Sequence, residues 1–175
     1  MKIDSKLLEK AIVYATEKHK GQVRKGDGRP YILHPLSVLI KLNKYKKSKN
    51  QFLLAIACVL HDSYEDTDTT LQEIAEHFGH KVASLVEELT TDKVECDLMG
   101  KPQYLLNKML AMSTYALCIK LCDRLDNLED MKTMSEEFKS KSIAETCFII
   151  EGLINGRDLT KTHKALIKDI NKYLK

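Results

Sequence analysis

The densest chemistry in the chain lies in one short run, His61-Asp62-Ser63-Tyr64-Glu65-Asp66. An imidazole next to a carboxylate is a good pair of ligands for a divalent metal, and two more carboxylates follow at once. On a helix His61 and Glu65 are four apart, as are Asp62 and Asp66, so each pair stacks on one side. The preceding residues, Phe52 to Leu60, are apolar without a break. Leu and Ala dominate that run, which predicts a buried helix. Three carboxylates at the C-terminal end of a helix sit against the partial negative charge there, so something positive should compensate them. A metal centre and an ordinary charged helix end both fit this pattern.

Three other stretches carry candidate groups. Leu117 to Leu128 repeats the central logic, an apolar run passing into Asp123, Arg124, Asp126 and Asn127. Asp123 and Asn127 are four apart and share a helical face. If the apolar part packs on the central helix, Asp123 can reach His61 and Asp62; otherwise Asp123 and Arg124 read as a surface ion pair. The Gln22 to Tyr31 segment holds Gly26, Gly28 and Pro30 and is expected to be a loop. It carries Arg24, Lys25 and Arg29 on a backbone that can approach a ligand closely, or else is a basic surface turn. His34 precedes Pro35, which suits the first position of a helix over Leu36 to Leu42.

The elements that must position these groups are all helical. Leu7, Leu8, Ala11, Ile12 and Ala15 mark a first amphipathic helix, capped by Asp4 or Ser5 and ending near Gly21. Thr70 with Glu73 forms a capping box for a helix over Leu71 to Phe78, which Gly79 stops. Val82, Leu85, Val86 and Leu89 outline the next helix. Residues 92 to 103 are polar, contain Gly100 and Pro102, and are expected to form a loop or lid. Tyr104 to Met112 is helical again. Two helices, Phe138 to Leu153 and Leu159 to Leu174, follow, with the break at Asn155-Gly156. No repeat and no convincing strand is visible, so the expected class is all-α.

At 175 residues the chain is expected to be one domain, burying about two thirds of its unfolded surface. A formal net charge of +3 does not demand nucleic acid, and no arginine-rich arm is present. The Lys41, Lys44, Lys46, Lys47 and Lys49 patch reads as a solvated helix end. An odd count of five cysteines without a CxxC pair argues against a disulfide framework and for a reducing compartment. Cys58, Cys118 and Cys147 lie in apolar runs and are expected in the core. There is no signal-peptide core and no apolar run near the ~20 residues of a membrane span. The expectation is a cytoplasmic protein that binds neither membrane nor nucleic acid; a homodimer is compatible with it.

Taken together, Arg24-Lys25-Gly26, Tyr31-Ile32-Leu33-His34-Pro35, His61-Asp62-Ser63-Tyr64-Glu65-Asp66-Thr67 and Lys120 to Leu128 resemble the HD-domain superfamily of metal-dependent phosphohydrolases. More narrowly they resemble the hydrolase domain of the RelA/SpoT homologues and the stand-alone small alarmone hydrolases. The pieces occur in the family's order and spacing, from about residue 5 to about residue 155. The resemblance implies a helical bundle with a metal site between its central helices, spanning residues 1–175 as a single domain. It implies one Mn²⁺ per chain, with Fe²⁺, Zn²⁺ or Mg²⁺ not excluded, held by His34, His61, Asp62 and Asp123. Glu65 would position or deprotonate the attacking water, assisted by Asp66, and Arg24, Lys25 and Asn127 would bind the nucleotide. The implied activity is hydrolysis of the 3′-pyrophosphate of guanosine 3′,5′-bis(diphosphate) or its pentaphosphate. Short members also remove the 2′-phosphate of NADPH, and the residues do not choose between the two. A non-catalytic nucleotide-sensing module would have lost ligands or the Glu-Asp pair, and all are present. Asp126 stands where many relatives have His, and Cys122 where Ala is usual; Asp126 would weaken pyrophosphate binding unless it faces solvent.

Overall fold

The computed structural model describes residues 5–175. Eleven α-helices and one 3-10 turn form the described residues, which contain no strand beyond an isolated bridge between Val23 and Pro30. The chain groups into two compact units, Met1–Thr90 and Thr91–Lys175.

The first unit is built around the apolar run of the sequence. Helix α1 (Ser5–Lys18) leads through the residue 19–32 segment to α2 (Leu33–Tyr45), and α3 (Gln51–Leu60) follows. Every residue from Leu54 to Leu60 is buried, because α1, α2 and α6 (His80–Leu89) all pack on α3. A helix apolar on all sides has no other stable place. The short α4 (Ser63–Asp66) and α5 (Leu71–Phe78) complete the unit, with α5 packed on α6. Thr70 caps α5 with the expected box: its side chain accepts from the Glu73 amide, and Glu73 accepts from the Thr70 amide. Gly79 ends the helix at φ +91°, a conformation that L side chains rarely adopt.

Two local expectations change here. The central helix does not run on through the charged residues: α3 stops at Leu60, and a turn at His61 and Asp62 leads into α4. The acidic end is thereby broken into two short pieces, which keeps the carboxylates from stacking along one helix terminus. Helix α2 begins at Leu33 instead of Leu36, so His34 and Pro35 lie in its first turn. The first-turn amides have no intrahelical acceptor, so a proline there costs no helix bond. The Asp4 cap falls outside the described residues, and Ser5 is the first residue of α1.

The second unit holds α7 (Lys93–Met99), α8 (Lys101–Ala111), α9 (Thr114–Asp130), a 3-10 turn (Met131–Thr133), α10 (Glu136–Gly156) and α11 (Lys161–Ile170). Helix α8 packs on α7 and α10, and α11 on α9. The loop expected at 92–103 is instead helical. Asp92 caps α7 by accepting from the amides of Val94 and Glu95, Gly100 turns the chain at φ +84°, and Pro102 sits in the first turn of α8. Glycine and proline mark a corner between two helices here, with no loop between them. The break between the last two helices lies at Arg157 to Thr160, just beyond Asn155-Gly156. Arg157 uses its guanidinium to bond the carbonyls of Met109, Leu110 and Met112 at 2.8, 3.2 and 2.9 Å, closing the end of α8. Cys147 is exposed, against its expected place in the core, because α10 turns that face outward; Cys58, Cys118 and Cys122 are buried, and none of the five cysteines forms a disulfide.

Candidate active site

In the first unit the candidate ligands converge where α3 ends. His34 comes from the first turn of α2, and His61 and Asp62 from the turn between α3 and α4. Asp62 Oδ2 lies 3.1 Å from His61 Nε2 and 3.6 Å from His34 Nε2. The two rings are 5.3 Å apart, and both are almost fully buried. His61 Nδ1 is 2.8 Å from the Cys58 carbonyl, which can only accept, so Nδ1 carries the proton. That leaves the Nε2 lone pair aimed toward the Asp62 carboxylate and available to a metal. Two imidazole nitrogens and a carboxylate oxygen within this span fit a divalent transition metal. The charged-helix-end alternative does not call for two buried imidazoles turned toward one carboxylate.

Tyr31 joins this group. Its hydroxyl lies 2.7 Å from Asp62 Oδ2 and 3.4 Å from Asp66 Oδ2. Its ring stacks on His19 with centroids 4.9 Å apart, and the Arg24 guanidinium lies 5.8 Å from the ring centroid. The Tyr-x-x-His-Pro spacing marked the tyrosine, but nothing in the sequence said what it would touch. The carboxylate it reaches lies 31 positions away. Asp66 is exposed and Glu65 half-buried on α4.

The Gln22 to Tyr31 segment is a closed turn. The Arg24 amide donates to the Arg29 carbonyl at 2.8 Å and the Tyr31 amide to the Gln22 carbonyl at 3.0 Å. Arg24 is half-buried, and Lys25 is exposed at the turn. Arg29 pairs with Asp27, whose carboxyl is held below its ordinary pKa chiefly by the Arg29 amide.

In the second unit α9 brings Asp123 and Asn127 together, as the four-residue spacing required. The Asn127 amide donates to Asp123 Oδ1 at 2.6 Å, and Lys120 Nζ lies 3.1 Å from Asp123 Oδ2. Both oxygens of a buried carboxylate thus have a donor or cation beside them. Arg124 does not pair with its neighbour Asp123; it reaches Glu145 at 3.1 Å and Thr146 at 3.0 Å on α10. Asp126 is buried rather than turned to solvent.

A family model described as HD domain matches residues 11–150. The guanosine-3′,5′-bis(diphosphate) 3′-pyrophosphohydrolase MESH1 of Homo sapiens is 36% identical over 171 residues, covering 94% of each chain. A protein of the same activity name from Aquifex aeolicus is 38% identical over 172 residues, 95% of this chain but only 24% of its own length. A solved structure described as a metazoan ortholog of SpoT that hydrolyzes ppGpp superposes with a TM-score of 0.80 at 25% identity, over 95% of this chain and 94% of its own. The chain therefore belongs to the HD-domain family.

Proposed function

We propose that the protein hydrolyses the 3′-pyrophosphate of guanosine 3′,5′-bis(diphosphate) or its pentaphosphate, giving GDP or GTP and pyrophosphate. The observation that carries this reading is the convergence of His34 and His61 on Asp62 in a chain that matches a full-length human enzyme of that name across nearly its whole length. The proposed ligand set is His34, His61 and Asp62, with Asp123 as the fourth by its place in the motif. Mn²⁺ suits this mixture of imidazole and carboxylate. When bound, the metal supplies Lewis acidity toward a phosphoryl oxygen and lowers the pKa of water.

The chain's own residues do the rest. Glu65 orients the attacking water and takes its proton as the new P–O bond forms, and Asp66 assists. The bond between the ribose 3′-oxygen and phosphorus breaks, and that oxygen takes up a proton from solvent while Glu65 returns its own to solvent. Arg24 offers a planar cation for the purine or a phosphate, Lys25 a point charge for phosphate, and Asn127 an amide for ribose or phosphate oxygens. We read residues 1–175 as one functional domain, since the family model crosses the boundary between the two units. Five cysteines outside any disulfide support a reducing compartment such as the cytoplasm, and the role there would be to lower the alarmone of the stringent response. No helix among the described residues is long and apolar enough to cross a membrane. The partner in this reading is a small nucleotide, with neither nucleic acid nor membrane involved.

Nucleotide chromatography tests the reading. The protein is incubated with guanosine tetraphosphate and Mn²⁺, beside an Asp62→Ala control and a parallel NADPH reaction. GDP and pyrophosphate formed only by the intact protein are the expected result. A large excess of specificity for NADPH would replace the 3′-pyrophosphate by a 2′-phosphate. No turnover of either, with metal bound, would leave the site and discard the substrate.

A further inference from the structure

The Tyr31 hydroxyl is aimed at the same oxygen that both imidazoles approach. A hydroxyl has one proton, and the 2.7 Å distance to Asp62 Oδ2 takes it; the 3.4 Å distance to Asp66 leaves a weaker contact. A carboxylate oxygen has two lone pairs. The one bonded to Tyr31 is spent, which leaves the other directed toward His34 and His61.

The tyrosine is itself held. His19 is buried and stacks on its ring at an interplanar angle of 29°. His19 Nδ1 lies 2.8 Å from Gln22 Oε1, and Gln22 Nε2 donates to the Asp66 carbonyl at 2.8 Å. The amide oxygen of Gln22 can only accept, so His19 Nδ1 carries a proton and its Nε2 faces the buried Ser63 hydroxyl at 3.5 Å. The chain of contacts runs from His19, just beyond α1, through Gln22 to both ends of α4. Arg24, in the same turn, lies over the tyrosine ring.

We propose that Tyr31 is a positioning residue that fixes the Asp62 carboxylate as a metal ligand, with His19 and Gln22 bracing it, and that it ties the nucleotide-binding turn to the metal group. This rests on the metal site proposed above. Groups that hold a metal ligand in place typically contribute 10–100-fold to metal affinity. Removing the hydroxyl alone should therefore weaken metal binding while leaving the stack on His19 and the fold intact.

The experiment is a calorimetric titration of the metal-free full chain with MnCl₂, for wild type and Tyr31→Phe. Melting of each in EDTA serves as the control for folding. The expected result is a dissociation constant raised roughly 10–100-fold in Tyr31→Phe with an unchanged metal-free melting temperature. Gln22→Ala provides a second variant that leaves every proposed ligand and the tyrosine in place, and it should show a smaller change in the same direction. Equal Mn²⁺ affinity in wild type and Tyr31→Phe would overturn the positioning role and leave the metal site standing. No Mn²⁺ binding by wild type would overturn both. A metal-free melting temperature that falls in step with affinity would assign Tyr31 to the fold and overturn the proposal.

Discussion

At Asp62 a single carboxylate oxygen faces two imidazoles and a phenol, and this asymmetry separates its role from that of Glu65. Asp62 accepts from the Tyr31 hydroxyl and faces two buried imidazole nitrogens, whereas Glu65 is half-buried on α4. Their substitutions should therefore differ in kind. Asp62→Ala removes an oxygen on which two imidazoles converge, and Mn²⁺ binding by calorimetry should be lost or strongly weakened. Glu65→Gln keeps the shape and removes the proposed base; turnover should fall ~10²–10⁴-fold with Mn²⁺ affinity near wild type. A Glu65→Gln protein that fails to bind metal would move Glu65 into the ligand set. Both residues could be singled out in the sequence, because their motif spacing is local. Tyr31 donating to Asp62 and Lys120 beside Asp123 were less so. The first depends on chain folding over 31 positions, and the second is a lysine among many in a lysine-rich chain.

The helix ends show the same division between local and distant causes. Thr70 and Glu73 close a capping box that the sequence announces, since both partners lie within four residues. Thr70→Ala should cost about 1 kcal/mol, read as a lower urea midpoint without a change in slope. The box also has a pH signature. The Glu73 carboxyl is held below its ordinary pKa, first by the Thr70 backbone amide. A depressed carboxylate contributes stability above its unfolded pKa and loses it as pH falls through the folded one. Urea melts across the acidic limb should therefore be flatter for Glu73→Gln than for wild type, with no difference growing toward alkaline pH. The 92–103 corner was misread because Gly100 and Pro102 are loop residues in isolation. They become helix punctuation only with Asp92 capping one side and α8 starting on the other. The closure of α8 by Arg157 was invisible for a different reason: its three carbonyl partners lie 45 to 48 positions upstream.

Across the described residues, the all-α class followed from periodicity, because each helix had to hide one apolar stripe and α3 had to hide every side from Leu54 to Leu60. The division into two compact units did not follow, since the polar stretch at 92–103 read as a loop or lid within a single domain. A metal bound by the native state but not by the unfolded chain adds RT ln(1 + [L]/Kd) to stability, about 2.7 kcal/mol at a hundredfold excess over Kd. For a chain of this size each kcal/mol moves the melting temperature by roughly 2–4 °C. Wild type should therefore melt roughly 5–10 °C higher in such Mn²⁺ than in EDTA, by scanning calorimetry. Asp62→Ala should lose most of that increment, and Glu65→Gln should keep it. An equal increment in all three proteins would mean that Mn²⁺ binds elsewhere, because only a site that includes Asp62 makes the gain depend on that one carboxylate.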